Sequence, residues 1–374
     1  MGESVRPTGG TTWRVEWPLP LAALILVVGW LAKPALSSGS VSDAAVGVAF
    51  LAFFIGALLA AMAATRHAEH LAVRFGEPYG TLMLTLSAIS LEIATVVTVM
   101  LHNPDNPTFG RDTMFSVVMV VLNGIIGVAL LAGGLRHHEQ SYNLRGANAF
   151  LSLLVPLATL SLIWPNVTVT TGGGTLSLLQ KIFLIVMSLL LYAAFMVIQT
   201  RTHTSFFVAE GEPAAGHPDP SASPHGWPWH LALLIVYLVL VVLTAKLFAM
   251  PLETGVARLG LPLTVAGLAV AVLVLAPEGI AAIRAARANQ TQRAMNIGLG
   301  TALSTIALTV PAILLIDLGS GRTAVLGLGA ADTMLLVLTF AVSMLTFSSG
   351  RTYAMQGLVH LLLFLAYIVL IFSP

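Results

Sequence analysis

The sequence predicts an all-α protein that crosses a membrane many times. Of its 374 residues, 57% are hydrophobic and only 9% are charged, whereas a soluble domain carries about 25% charged residues. Mean hydropathy is +0.91. Apolar stretches of about 20 residues, the length of helix that spans the hydrocarbon core of a bilayer, recur along the whole chain. They number about eleven: 17–36, 44–64, 78–101, 113–135, 147–165, 177–198, 229–250, 261–283, 294–316, 329–347 and 354–372.

The first stretch follows Arg6 and Arg14 and could pass for a signal peptide. It is long for a signal's apolar region and more spans come after it, so it reads as a retained first helix. The next five stretches form one half of the protein. Residues 200–228, rich in Pro, Gly, Ser and Ala with Glu210, Glu212 and Asp219, read as a flexible cytoplasmic linker. The last five stretches form the other half. The expected division is therefore 1–39 for the N-terminal segment and first helix, 40–199 for a first five-helix repeat, 200–228 for the linker and 229–374 for a second repeat. With the N-terminus in the cytoplasm, Lys and Arg divide eleven inside to six outside, the bias expected of that orientation. The setting predicted is the inner (plasma) membrane of a bacterium.

Five is an odd number, so the second half enters the membrane with opposite polarity, the pattern of inverted repeats in secondary transporters. Glu92 lies in the second helix of the first half and Glu278 in the second helix of the other. The following helices align without gaps, pairing Met114 with Met295, Leu122 with Leu303, and Asn123 with Ser304. At about 1.5 Å per residue, Glu92 lies roughly 21 Å from the cytoplasmic start of its helix and Glu278 roughly 25 Å from the external start of its own. Both acids are thereby brought near the midplane.

A carboxylate at that depth costs roughly 2.5–3.5 kcal/mol on insertion scales and is seldom kept without a task. Two sharing one site can hold protons, or lose them and bind a cation. Hard cations take oxygen ligands, and Thr85, Thr95, Asn123, Thr301, Ser304 and Thr305 offer them on the same helices. Hydroxyls in membrane helices also bond across helices without any ionic role. Pro277, just before Glu278, is expected to free a carbonyl and break the helix locally, whereas Pro156 and Pro311 read as structural kinks. Glu77, near the cytoplasmic mouth, is placed on the ion's route or at a helix N-terminus.

Several classes are excluded. The chain has no Cys and a formal net charge of +1, which leaves no thiolate site and no basic run to follow nucleic acid. There is no P-loop, and His138-Glu139 lacks the second His of a zinc protease motif. His67, His70, His137 and His138 cluster on predicted cytoplasmic loops and titrate near neutral pH, where solvated loop residues are favoured over a pH sensor. An intramembrane enzyme using the two acids as an acid–base pair is the alternative of another class. The repeat of the acid-bearing segments favours transport, and no catalytic role is assigned.

Gly76-Glu77-Pro78-Tyr79-Gly80-Thr81 with Leu91-Glu92, then Ala276-Pro277-Glu278-Gly279 and Asn289-Gln290-Thr291-Gln292-Arg293-Ala294-Met295-Asn296, resemble the bacterial Ca²⁺/H⁺ antiporter family that also exchanges Na⁺ and K⁺, within the cation/Ca²⁺ exchanger superfamily. The likeness covers essentially the whole chain. It implies one leading helix and two inverted five-helix repeats, with Glu92 and Glu278 binding cation or protons and Asn123, Thr301 and Ser304 as further polar positions. Thr85, Thr305 and Glu77 would line the pathway. It also implies Ca²⁺ export against protons, with Na⁺ or K⁺ as alternative cargo, no cofactor, and the bilayer, inorganic cations and protons as partners. One departure stands out. Many superfamily members carry Gly-Asn shortly before each acid, and this chain has Ala88-Ile89 and Val274-Leu275 there. Amide ligands are thus missing, which leaves room for monovalent ions.

Overall fold

The structure, a computed structural model, describes residues 15–38, 40–75, 79–102, 106–208, 225–321 and 323–373. It is helical nearly throughout: α1 (Pro18–Ser37), α2 (Asp43–Phe75), α3 (Tyr79–His102), α4 (Phe109–His137), α5 (Leu144–Leu162), α6 (Leu178–Val197), α7 (Trp227–Arg258), α8 (Thr264–Arg287), α9 (Thr291–Ser320), α10 (Ala330–Thr346) and α11 (Ala354–Phe372). Nine helices among the described residues are long and apolar enough to cross a membrane, and the shorter apolar helices Leu86–Leu101 and Ala330–Thr346 fall on the third and tenth predicted stretches. The chain is an all-α, multi-pass membrane protein.

Local chemistry sets many of the ends. Pro18, with no N–H to leave unsatisfied, opens α1. A capping box of Ser177 and Gln180 opens α6. The Asn143 side chain accepts from the Arg145 N–H at the start of α5. Gly321, at φ 68°, closes α9 in the left-handed conformation that glycine adopts without cost.

Both α4 and α9 contain a π-helical stretch, Met119–Ile125 and Thr305–Thr309. In α9 the cause is at hand, since Pro311 follows directly and has no N–H for the carbonyl one turn back. In α8, by contrast, the helix runs on through Pro277 without a break, contrary to the local interruption expected there. Membrane helices tolerate proline in this way.

Two compact units emerge. One comprises residues 1–91 and 216–255, the other 92–215 and 256–374. In the first, α1 meets α2 where Gly56 lets the Ile25 side chain approach, to 3.1 Å from where a Cβ would stand. The α2 helix continues to Phe75, well past the predicted end at 64. His67 is accordingly no loop residue: it is 1% exposed on the helix, its Nδ1 3.0 Å from that of His230 and its Nε2 3.3 Å from Glu16. Glu16 also accepts from Arg66 and the Tyr237 hydroxyl, each at 2.8 Å. Ion pairing extends the helix where hydropathy alone ends it.

In the second unit, the connecting segments sort by their bonds into two groups. In one, strand β1 (Glu139–Ser141) pairs antiparallel with β2 (Arg351–Tyr353), the Gln140 amide donates to the Ala286 carbonyl, and the Asn143 N–H donates to Gln292. In the other, the Val325 N–H donates to the Pro107 carbonyl and that of Leu326 to Gly174, Arg111 donates to the Gly327 carbonyl, and Lys181 pairs with Asp317. These are the groups that alternate crossing of the membrane would make. The two strands form a three-residue ribbon, too short for sequence patterning to show. Of the expected linker, residues 209–224 lie outside the described residues.

Small residues let two helices of this unit approach closely. Gly357 of α11 faces the backbone of α4, where a Cβ would overlap the Leu131 nitrogen and lie 2.7 Å from the Gly127 oxygen. Such small-residue contacts drive helix association where lipid supplies no hydrophobic force.

Candidate functional site

Glu92 is 4% exposed and placed in the interior of α3 among apolar neighbours such as Leu91 and Val96. Thr305 of α9 donates its hydroxyl to Glu92 Oε2 at 2.7 Å, and Thr309 donates to Oε1 at 3.2 Å. Both threonines are fully buried, at 0% exposure. They lie on the π-helical stretch that Pro311 imposes, four residues apart, so their hydroxyls face one side and reach the two oxygens of a single carboxylate. Burying an ionised carboxylate is tolerable only with such donors.

Glu278 sits in α8 of the same unit. Its Oε2 is shielded from solvent and has no hydrogen-bond partner among the described residues. The residue after Glu278 is Gly279, and there the α4 side chain Ile125 packs so closely that an added Cβ would stand 3.0 Å from its Cδ1.

The remaining polar positions are distributed differently. Ser304 is buried and donates to the Thr301 carbonyl at 3.1 Å, while Thr301 is half-buried one turn before Thr305. Asn123, fully buried in the π-helical stretch of α4, donates to the Thr339 hydroxyl at 2.8 Å and accepts at 3.1 Å from His360. Thr95 is buried on α3 below Glu92. Glu77 lies outside the described residues, and for Thr85 only the helical backbone position is described. The structure thus joins Glu92 to Thr305, places Glu278 in the same unit, and ties Asn123 into another network. Thr309 escaped the sequence reading, though Thr301, Thr305 and Thr309 recur every four residues. Among the described residues, no three His, Asp or Glu side chains converge as a metal cluster.

Residues 45–201 and 229–373 match the family described as sodium/calcium exchanger protein. The chain belongs to the sodium/calcium exchanger family. Within that family's reach, it is 37% identical over 357 residues to the "Sodium-potassium/proton antiporter ChaA" of Escherichia coli (strain K12), which covers 95% of each chain. It is 24% identical over 305 residues to the "Ca(2+)/H(+) antiporter" of Aphanothece halophytica, covering 71% of this chain and 80% of that one. Its fold resembles the solved structure of native YfkE, at a TM-score of 0.74 with 15% identity over 96% of this chain and 100% of the other. It also resembles the H⁺/Ca²⁺ exchanger CAX, at a TM-score of 0.68 with 15% identity over 95% and 89%. The two stretches of this chain that match the exchanger family are separated by residues 202–228.

Proposed function

We propose that this protein is a secondary active cation/proton antiporter in which Glu92 and Glu278 bind cation and protons in competition. The observation that carries the reading is the pair of carboxylates within one unit: Glu92 is held by two buried hydroxyls, and Glu278 keeps a buried oxygen without a partner among the described residues. A protein oxygen left unsatisfied in an apolar interior costs about 1–3 kcal/mol, and a proton or a cation would relieve that cost. The two cannot occupy the same oxygens together, so each must leave before the other binds. Protons running down their gradient would in this way displace cation taken up on the other face, by alternating access between two inverted five-helix repeats. The N-terminus lies in the cytoplasm, and the membrane is the inner membrane of a bacterium.

Ca²⁺ is the cargo that matches the site's charge, because two ionised carboxylates neutralise one divalent ion and two protons replace it. A second reading, Na⁺ or K⁺ exchange through the same acids, is favoured by the likeness to ChaA over nearly the whole chain and by Ala88-Ile89 and Val274-Leu275 in place of amide ligands. In that case one acid keeps its proton while the other binds the ion.

The test is a vesicle assay. A pH gradient is imposed on everted membrane vesicles, Ca²⁺, Na⁺ or K⁺ is added singly, and collapse of the gradient is followed by fluorescence. Glu92→Gln and Glu278→Gln are each expected to abolish the response to every cation. Wild-type rates in both variants would overturn the assignment.

A further inference from the structure

The second unit holds another buried polar network, with no bond to either acid among the described residues. Its centre is His360, 0% exposed on α11. His360 Nδ1 is 3.1 Å from Asn123 Oδ1, and its Nε2 is 3.1 Å from Thr346 Oγ1. The Asn123 amide nitrogen in turn donates to Thr339 Oγ1 at 2.8 Å and points at Met119 Sδ, 3.4 Å away. A thioether sulfur can only accept, so the amide nitrogen faces Met119 and the amide oxygen faces His360. That fixes His360 Nδ1 as the donor, and Nε2 of the neutral ring accepts from the Thr346 hydroxyl. Helices α4, α10 and α11 are joined in one network with each of these bonds made, and such networks hold a unique geometry.

The network grips α4 where its backbone is irregular. Asn123 lies in the π-helical stretch Met119–Ile125, whose register the regular ladder does not fix. The last residue of that stretch, Ile125, packs on Gly279, next to Glu278, whose buried Oε2 has no partner among the described residues. A continuous chain of contacts runs from His360 through Asn123 and Ile125 to the peptide that carries the second acid.

We infer that His360 is a positioning residue for the exchange site: by clamping Asn123 it sets the π-helical stretch that backs Glu278, and so aims that carboxylate at the ion. The inference rests on the reading of Glu92 and Glu278 as the exchange site and adds the part that holds one of them in place.

Two substitutions separate this role from bulk packing. His360→Asn puts an amide where Nδ1 stands and keeps a donor for Asn123. His360→Gln reaches the Nε2 position and keeps the Thr346 contact while giving up Asn123. The readout is the half-saturating cation concentration and maximal rate in the vesicle assay, with melting temperature in detergent alongside. His360→Gln is expected to raise the half-saturating concentration about 10-fold, the usual cost of losing an outer contact to an ion site, with the maximal rate and melting temperature nearly unchanged. His360→Asn should stay within about 3-fold of wild type on the same scale. Thr339→Val, which removes the other anchor of Asn123, should reproduce the rise and decides the matter if the His360 variants do not accumulate. Equal half-saturation in His360→Asn and His360→Gln, or a fall in rate that tracks the melting temperature, overturns the inference. A wild-type protein inert to all three cations would instead overturn the exchange reading itself.

Discussion

The hydroxyl of Thr305 is the most direct lever on the site. Thr305→Val keeps the shape of the side chain and removes only the donor to Glu92 Oε2 at 2.7 Å. A hydrogen bond to a charged group contributes about 1.5–3 kcal/mol net, and every 1.4 kcal/mol is about a tenfold change in equilibrium. A cation needs the ionised carboxylate that this donor stabilises, so the half-saturating cation concentration should rise about 10- to 100-fold. The Thr309 bond, at 3.2 Å, is long for O–H···O, which clusters near about 2.7–2.8 Å. Thr309→Val should therefore cost less, about 10-fold at most, the lower end of that energy range. Thr305→Ser restores the donor and should restore affinity. The measurement is the concentration dependence of gradient collapse in everted vesicles at fixed pH. A Thr305→Val protein with wild-type half-saturation, or a larger effect from Thr309→Val, refutes the reasoning.

Two further outcomes concern stability. Gly357→Ala places a methyl against the backbone of Leu131 and Gly127 on α4, and such overpacking costs about 1–3 kcal/mol. It should lower the melting temperature in detergent, while Ala at the open Gly319, where a Cβ meets nothing within 4 Å, should not. Lys181→Met strands Asp317, whose side chain is 4% exposed: Oδ1 loses the ammonium, while Oδ2 keeps the Ala324 N–H. Breaking a buried pair in this way costs about 3–5 kcal/mol, and the double variant Lys181→Met/Asp317→Asn should recover much of it in thermal melts. A double variant no more stable than the single one counts against that account.

Run length is a one-dimensional property, so the helices were legible in the sequence: 17–36 became Pro18–Ser37, and 354–372 became Ala354–Phe372. Where a helix outlives its apolar stretch, hydropathy says nothing. The α2 helix continues through Thr65-Arg66-His67 because Glu16 and His230 supply partners from segments distant in sequence, and the solvated-loop reading of His67 failed for that reason. Glu92 and Thr305 were legible as polar groups in apolar runs. Their contact spans 213 positions, and only the tertiary structure makes it visible. His360 sits in the apolar run Leu358–Tyr367, where a single imidazole in a continuous stripe gives no signal of the side it faces. Asn123 was legible as a polar intramembrane residue, but its partners Thr339 and His360 come from helices more than 200 positions away.

The two π-helical stretches bear on any labelling or cysteine-scanning study of this protein. Each inserts an extra residue into a turn, which rotates everything downstream by about 100° relative to a wheel drawn from the start of the helix. A probe chosen on 126–137 or 310–320 by counting forward from Phe109 or Thr291 would be aimed at a protein neighbour where lipid was intended, or the reverse. Wheels for α4 and α9 have to be drawn twice, once on each side of the irregular turn.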